Sequence, residues 1–446
     1  MSVSVAETDG GSPRKKVLIL TYYWPPAGGP GVQRFLKFAR YLRDFGWDPI
    51  IVTPEEGSYP YLDETLASDI PEGLEIIKTG TMEPFAIYNR LSGRKGKSVA
   101  VGMIGYRDSQ SLVQRFARYV RANFFVPDAR IGWKNYAVKA ALKRIKQGDI
   151  DAIISTGPPH STHLSGLELQ KKTGLPWLAD FRDPWTTIYY NAYFPRSEAT
   201  KSKDQGFENS VLQKADKVVV ISQGMRREFE DRSECEVIYN GFDEEDLYKG
   251  APKADEHFRL CYIGNMKPNQ NVPAIWEAVC QLAESNSDFR RDFRLHFTGI
   301  LDPGVKDAIE ALGIGDLLKI DGFVPHKEAT ERMAQAGMLL FIIPNTKDRE
   351  RIITGKIFEY LACETHMLSV GPQSGDAARI LEEAGRPVML DYEDVDAIRN
   401  LIEQGYKDWL AGNRMPLKYG DGDYMKFSRR ALTGELAKQL EAMASK

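Results

Sequence analysis

Two stretches of the chain carry residue types and spacings suited to chemistry. The first is a glycine loop, Ala27-Gly28-Gly29-Pro30-Gly31-Val32-Gln33-Arg34. It follows a short apolar run, Val17-Leu18-Ile19-Leu20-Thr21, and precedes apolar residues at helical spacing: Val32, Phe35, Leu36, Ala39 and Leu42. Bare backbone at the start of a helix can receive phosphate oxygens, so the loop reads as a phosphate or sugar site, or else as a tight turn. It nearly matches the dinucleotide fingerprint, yet Arg34 stands where the last small residue must let helix and strand pack closely. A nicotinamide or flavin cofactor is therefore not expected. The second stretch places His160 and His163 just past one apolar run, and Asp180, Arg182 and Asp183 directly after another. Two acids around an arginine can orient a hydroxyl or take its proton. Alternatively, Arg182 pairs with Asp183 and closes the loop.

The elements that must position these residues alternate between buried strands and amphipathic helices. Continuous apolar runs bounded by turn residues read as parallel strands covered on both faces. Such runs occur at Val17–Thr21, Ile50–Val52, Ala152–Ser155, Trp177–Ala179 and Val218–Ile221, and a second series begins at Leu260–Ile263 and ends at Met367–Val370. The expected fold class is α/β, with two doubly wound parallel-sheet domains whose ligands lie beyond the carboxyl ends of the strands. At 446 residues the chain exceeds the size of one core, which supports the same division. Asn240-Gly241 is a strong turn signal, so the expected domains are 15–241 and 242–426, with a closing amphipathic helix over about 427–446 returning to the first. Residues 1–14 are small and polar without the apolar core of a signal peptide. They are expected to be a disordered lead-in to a cytoplasmic chain. The four cysteines lack any paired spacing, and Asp421-Gly422-Asp423 lies in a glycine-rich stretch, so no metal site is expected.

Tyr22-Tyr23-Trp24-Pro25-Pro26, the glycines after it and the arginine-bearing helix resemble the opening of GT-B glycosyltransferases of family 4. Thr156-Gly157-Pro158-Pro159-His160-Ser161-Thr162-His163-Leu164 and Ala179-Asp180-Phe181-Arg182-Asp183-Pro184-Trp185 resemble acceptor-domain segments of a bacterial, surface-polysaccharide branch of that family. Tyr239-Asn240-Gly241-Phe242-Asp243 resembles its interdomain joint. Tyr262-Ile263-Gly264-Asn265-Met266 and Thr354-Gly355-Lys356-Ile357-Phe358-Glu359 resemble its donor site.

The resemblance implies a retaining transfer of sugar from a nucleotide donor, such as a UDP- or GDP-sugar, to a hydroxyl of a glycan or lipid-linked acceptor. It places the donor against Gly28, Gly29, Asn265, Lys267, Thr354, Lys356 and Glu359, and the acceptor against Arg34, His160, Arg182 and Asp183. In the family a histidine from this region touches the donor sugar, and His163 is the match; Asp180 is the expected catalytic base, read from its place beside Arg182. The leaving diphosphate needs cations and N–H groups where no metal stands, and Lys356 opens the helix that carries Glu359. One side chain then faces phosphate and the other the ribose hydroxyls. The family commonly has a glutamate where Arg351 stands and an arginine where Asn265 stands, so the diphosphate contacts differ in this chain.

Net charge is −3, yet residues 86–147 hold 14 Lys or Arg against Asp108 and Asp128. Phe116, Tyr119, Phe124 and Phe125 interleave with Arg115, Arg118 and Arg121 in the manner of a helix lying on an anionic membrane surface. The alternative is a helix that closes the domain core. No recognition motif accompanies the charge, so nucleic acid is not an expected partner. The competing readings of the whole chain are a sugar-nucleotide epimerase on the same fold and a noncatalytic membrane-associated scaffold with a degenerate donor site.

Overall fold

A computed structural model describes residues 13–60, 62–82, 112–188, 191, 193–250, 255–363, 365–413 and 421–445. The expected lead-in up to residue 12 and the basic stretch 86–111 lie outside these described residues.

The chain divides into two compact units. Residues through Tyr239 join those from Leu432 onward in one unit, and Asn240–Ala431 form the other. The first unit is built on seven strands: β1 (Lys15–Leu20), β2 (Trp47–Pro54), β3 (Glu75–Thr79), β4 (Ala152–Gly157), β5 (Trp177–Phe181), β6 (Lys217–Val220) and β7 (Cys235–Val237). They lie in the order β3-β2-β1-β4-β5-β6-β7 and are parallel throughout. Ile19 registers with Ile51 on one side and Ile154 on the other, and all three are fully buried. The apolar runs seen in the sequence are thus the centre of a sheet covered by helices on both faces.

The second unit holds β8 (Phe258–Ile263), β9 (Phe293–Thr298), β10 (Leu318–Asp321), β11 (Met338–Ile342) and β12 (Met367–Val370). Their order is β10-β9-β8-β11-β12, again all parallel. In each sheet the first strand has neighbours reached in opposite directions: β1 lies between β2 and β4, and β8 between β9 and β11. A crevice opens at the carboxyl end of such a strand because the connections on its two sides leave in opposite directions. The glycine loop follows β1, and Gly264-Asn265-Met266-Lys267 follows β8. The last helix, Arg429–Ala444, begins two residues after the expected start, and Lys15 Nζ reaches its Glu441 Oε1 at 2.6 Å.

Candidate functional site

At the carboxyl end of β1, Gly29 has φ of 114° and caps the helix Pro30–Tyr41. That conformation favours glycine. A Cβ on Gly31 would lie 1.6 Å from Arg182 Nη1, so the second turn of the loop must stay bare for that guanidinium to pass. Arg34, one turn into the helix, is fully buried. Its Nη2 and Nε donate to Asp180 Oδ1 at 2.7 and 3.2 Å, and its Nη1 donates to the Tyr239 carbonyl at 2.6 Å. The other Asp180 oxygen accepts from Thr156 Oγ1 at 2.8 Å, and Arg182 Nε donates to that same hydroxyl at 3.1 Å. Arg182 also bonds the Pro158 carbonyl, and burial lowers its pKa.

This cluster ties together the ends of β1, β4 and β5, three segments that sequence reading assigned to substrate. Asp180 is the expected catalytic group and Arg34 an expected acceptor ligand. Both side chains are buried and hydrogen-bonded to each other, an arrangement that holds the loops they come from together. Asp183 differs, because its half-buried carboxylate has no hydrogen-bond partner among the described residues, and burial raises its pKa to about 6 against the pull of Arg182. A carboxylate in that state can accept a proton or orient a hydroxyl.

The two histidines also part company. His163 is fully buried: its Nδ1 lies 2.9 Å from Ser155 Oγ, and its ring stacks on Phe181 at 4.4 Å. Its Nε2 is buried with no partner among the described residues, and a Cβ on Gly157 would come within 2.6 Å of it. Protein atoms surround the ring of His163, the residue expected to touch the donor sugar. His160 stacks parallel to Trp185 at 5.0 Å and lines a cavity of about 250 Å³. Burial and Arg182 lower its pKa to about 3, so it is neutral at ordinary pH.

In the second unit, Gly264 ends β8 with φ of 119°, and Gly299 ends β9 with φ of 116°. A Cβ on Gly264 would lie 2.7 Å from the Lys356 side chain, so the bare backbone lets that lysine lie over the strand end. Lys356 does open its helix, Lys356–Ala362. Its Nζ donates to Tyr262 Oη at 2.8 Å and sits 4.0 Å from that ring's centroid. Burial lowers its pKa to about 8; Glu359 pulls the other way, and Lys267 adds to the lowering. Neither lysine forms an ion pair among the described residues. Two lysines within electrostatic reach of each other leave this strand end positively charged, with Glu359 as the opposing charge nearby.

Glu359 lies one turn on, half-buried and with no hydrogen bond among the described residues. Burial raises its pKa despite the opposing fields of His326, Arg429 and Lys356. Thr354 Oγ1 is buried without a partner as well. The structure thus brings Thr354, Lys356 and Glu359 together with Lys267. Asn265 takes a different part, since its Oδ1 accepts from the Ile300 backbone at 3.1 Å and holds the loops after β8 and β9 together.

The chain holds two all-parallel sheets in two compact units, and comparison with known proteins defines it further. Residues 31–246 match the model of Glycosyltransferase Family 4. The chain has no sequence match among curated proteins. Among solved structures it resembles sucrose-phosphate synthase from Thermosynechococcus elongatus, with 14% identity, 96% of this chain and 100% of that chain covered, and a TM-score of 0.57. The trehalose-6-phosphate structure from Escherichia coli bound with UDP-2-fluoro glucose is 12% identical, with 97% of each chain covered and a TM-score of 0.54. Anabaena HepE in complex with UDP-glucose is 14% identical over 96% of this chain and 97% of its own, with a TM-score of 0.51. At these identities the likeness establishes the fold, which is GT-B with two Rossmann-like parallel-sheet domains. The family match and the fold together support a glycosyltransferase.

Proposed function

We propose that the protein is a retaining, metal-independent glycosyltransferase that takes a sugar from a nucleoside-diphosphate donor, such as a UDP- or GDP-sugar. The second unit receives the donor and the first presents the hydroxyl of a glycan or lipid-linked acceptor in bacterial surface-polysaccharide synthesis. One observation carries this reading: Lys356 and Lys267 stand unpaired beside the bare strand end at Gly264, with Glu359 and the Thr354 hydroxyl unpartnered next to them. A diphosphate supplies the charge the lysines lack, and ribose hydroxyls satisfy the carboxylate. The lysines then stabilise negative charge as it develops on the leaving diphosphate. The complexes named above contain UDP-sugars, which favours the same ligand class here. In the first unit, Asp183 has the free carboxylate to orient the acceptor hydroxyl, while Asp180 and Arg182 fix the loop that presents it.

Among the described residues no helix is long and apolar enough to cross a membrane. A peripheral position on the inner face of a membrane suits a lipid-linked acceptor and is supported by the helix Leu112–Phe124, where Arg115, Tyr119 and Phe124 are exposed. Arg118 instead bonds the Tyr193 carbonyl at 2.7 Å, so only part of the basic face is turned outward.

The test is nucleotide release from a panel of UDP- and GDP-sugars by the full chain and by Glu359→Ala. Losing a charged hydrogen-bond partner costs about 1.5–3 kcal/mol, so release falls roughly 10- to 100-fold in the variant. Equal rates for parent and variant would overturn the donor-site assignment.

A further inference from the structure

The segment after β5 runs from 182 to 197 and carries Asp183, whose carboxylate orients the acceptor hydroxyl in the proposed reaction. A connection of that length places a reacting group accurately only when other elements fix it. The fixing comes from the helix that follows, Glu198–Lys214. Asp204 and Glu208 stand about one turn apart on that helix and are 1% and 0% exposed.

Both carboxylates are turned to the loop. Asp204 Oδ1 accepts from the Trp185 indole at 2.8 Å, and its Oδ2 pairs with Arg196 Nη1 at 2.5 Å. Arg196 in turn donates to the Pro127 carbonyl at 2.7 Å. Glu208 Oε1 accepts from the Thr186 backbone at 3.1 Å, while its Oε2 lies 3.0 Å from the Thr186 hydroxyl and 2.6 Å from Arg232 Nη1. Asn191 closes the loop on itself by donating to the Trp185 and Thr186 carbonyls at 3.0 and 3.1 Å. Only Pro184 separates Asp183 from the anchored Trp185. Proline fixes its own φ and keeps the residue before it extended, so little freedom remains between the anchor and the carboxylate. The Trp185 ring also stacks on His160 at 5.0 Å with the planes 8° apart, which holds the indole from a second side.

Burying ion-paired carboxylates is a poor way to add stability, because desolvation offsets most of the attraction between the charges. Apolar side chains of similar size fill such a space as well. What the carboxylates add is direction: each bonds one particular N–H of the loop, at Trp185 and at Thr186.

We propose that Asp204 and Glu208 are positioning residues for the transfer, holding the loop against the helix Glu198–Lys214 and thereby setting where the Asp183 carboxylate stands. The inference rests on the reading of Asp183 as the group that orients the acceptor hydroxyl.

The test combines hydrogen exchange of residues 183–188 with nucleotide release by the full chain. Release is measured from the donor that the UDP- and GDP-sugar panel singles out, with water in the acceptor's place. Asp204→Ala and Glu208→Ala lower kcat by about 10- to 100-fold and leave donor KM and UDP affinity within about 2-fold of the parent. Exchange at 183–188 rises in both. Glu208→Gln keeps an oxygen for the Thr186 amide and recovers part of the rate. Should loss of a buried charge prevent folding, Trp185→Phe removes only the indole N–H, keeps a ring beside His160, and lowers kcat in the same way. In an Asp183→Asn background, Asp204→Ala or Trp185→Phe costs little further, because the group they position is already gone. Losses that add in full in that background, parental kcat in all the single variants at 185, 204 and 208, or unchanged exchange at 183–188 overturns the proposal. Asp183→Asn releasing nucleotide at the parental rate sinks the Asp183 reading instead, whatever the loop exchange shows, so the two failures are distinguishable.

Discussion

Asp180→Ala separates a positioning role from a catalytic one. In the parent, Arg34 and Asp180 are both fully buried and joined at 2.7 Å, and Thr156 donates to the second carboxylate oxygen at 2.8 Å. The substitution leaves a guanidinium inside the protein without its counter-ion, and removing one partner of a buried pair costs about 3–5 kcal/mol. For a unit of this size, each kcal/mol shifts the melting temperature by about 2–4 °C, so the first unit should melt roughly 6–20 °C lower. Scanning calorimetry of the full chain measures this directly. Asp180→Asn keeps acceptor and donor atoms in the same space and should show a smaller shift of the same sign. Donor and acceptor turnover in both variants should fall in step with the folded fraction. A melting temperature within about 2 °C of the parent, with activity abolished, would refute the positioning argument and restore Asp180 as a reacting group.

The remaining predictions concern the anion site and the packing beneath it. Lys356→Met should weaken UDP binding by about 2–4 kcal/mol, roughly 30- to 1000-fold, because a cation about 4 Å from phosphate contributes about 4 kcal/mol at an effective dielectric constant near 20. Its thermal stability should hold or rise, since the variant no longer desolvates an ammonium; titration calorimetry and a melting curve read the two effects. With a Lys356 pKa of about 8, UDP affinity should be flat below that pH and weaken as pH rises through it, with proton uptake on binding near pH 8 to 9. An affinity unchanged between pH 7 and 9.5 would contradict this. Gly157→Ala should destabilise the first unit by about 1–3 kcal/mol in denaturant titration, because the new Cβ meets His163 Nε2 at 2.6 Å and His160 Nδ1 at 3.2 Å.

Much of the architecture could be read from the residues because parallel strands buried on both faces leave uninterrupted apolar runs. Val17–Leu20, Ile50–Val52 and Leu260–Ile263 all lie within strands for that reason. The loops that follow β1, β4, β5 and β8 were equally legible, since glycines, prolines and charged residues punctuate the runs. The resemblance to the family singled out Lys356 and Glu359, which stand three residues apart on one short helix. What those loops do was less legible. Arg34 and Asp180 are 146 residues apart, and nothing in either segment announces the ion pair that turns both inward. His160 and His163 are three residues apart, yet one lines a cavity and the other lies beneath it, a difference set by how Trp185 and Phe181 stack. The arginines of the helix Leu112–Phe124 suggested a membrane surface or a core contact. Only tertiary placement reveals that Arg121 faces the same cavity as His160.

The central claim is that the carboxyl-end loops of the second sheet grip a nucleoside diphosphate. Amide hydrogen exchange of the full chain with and without saturating UDP tests it most directly. The account predicts added protection in residues 263–267 and 354–360. Protection confined to the glycine loop at 26–34, or no change in either segment, would contradict it.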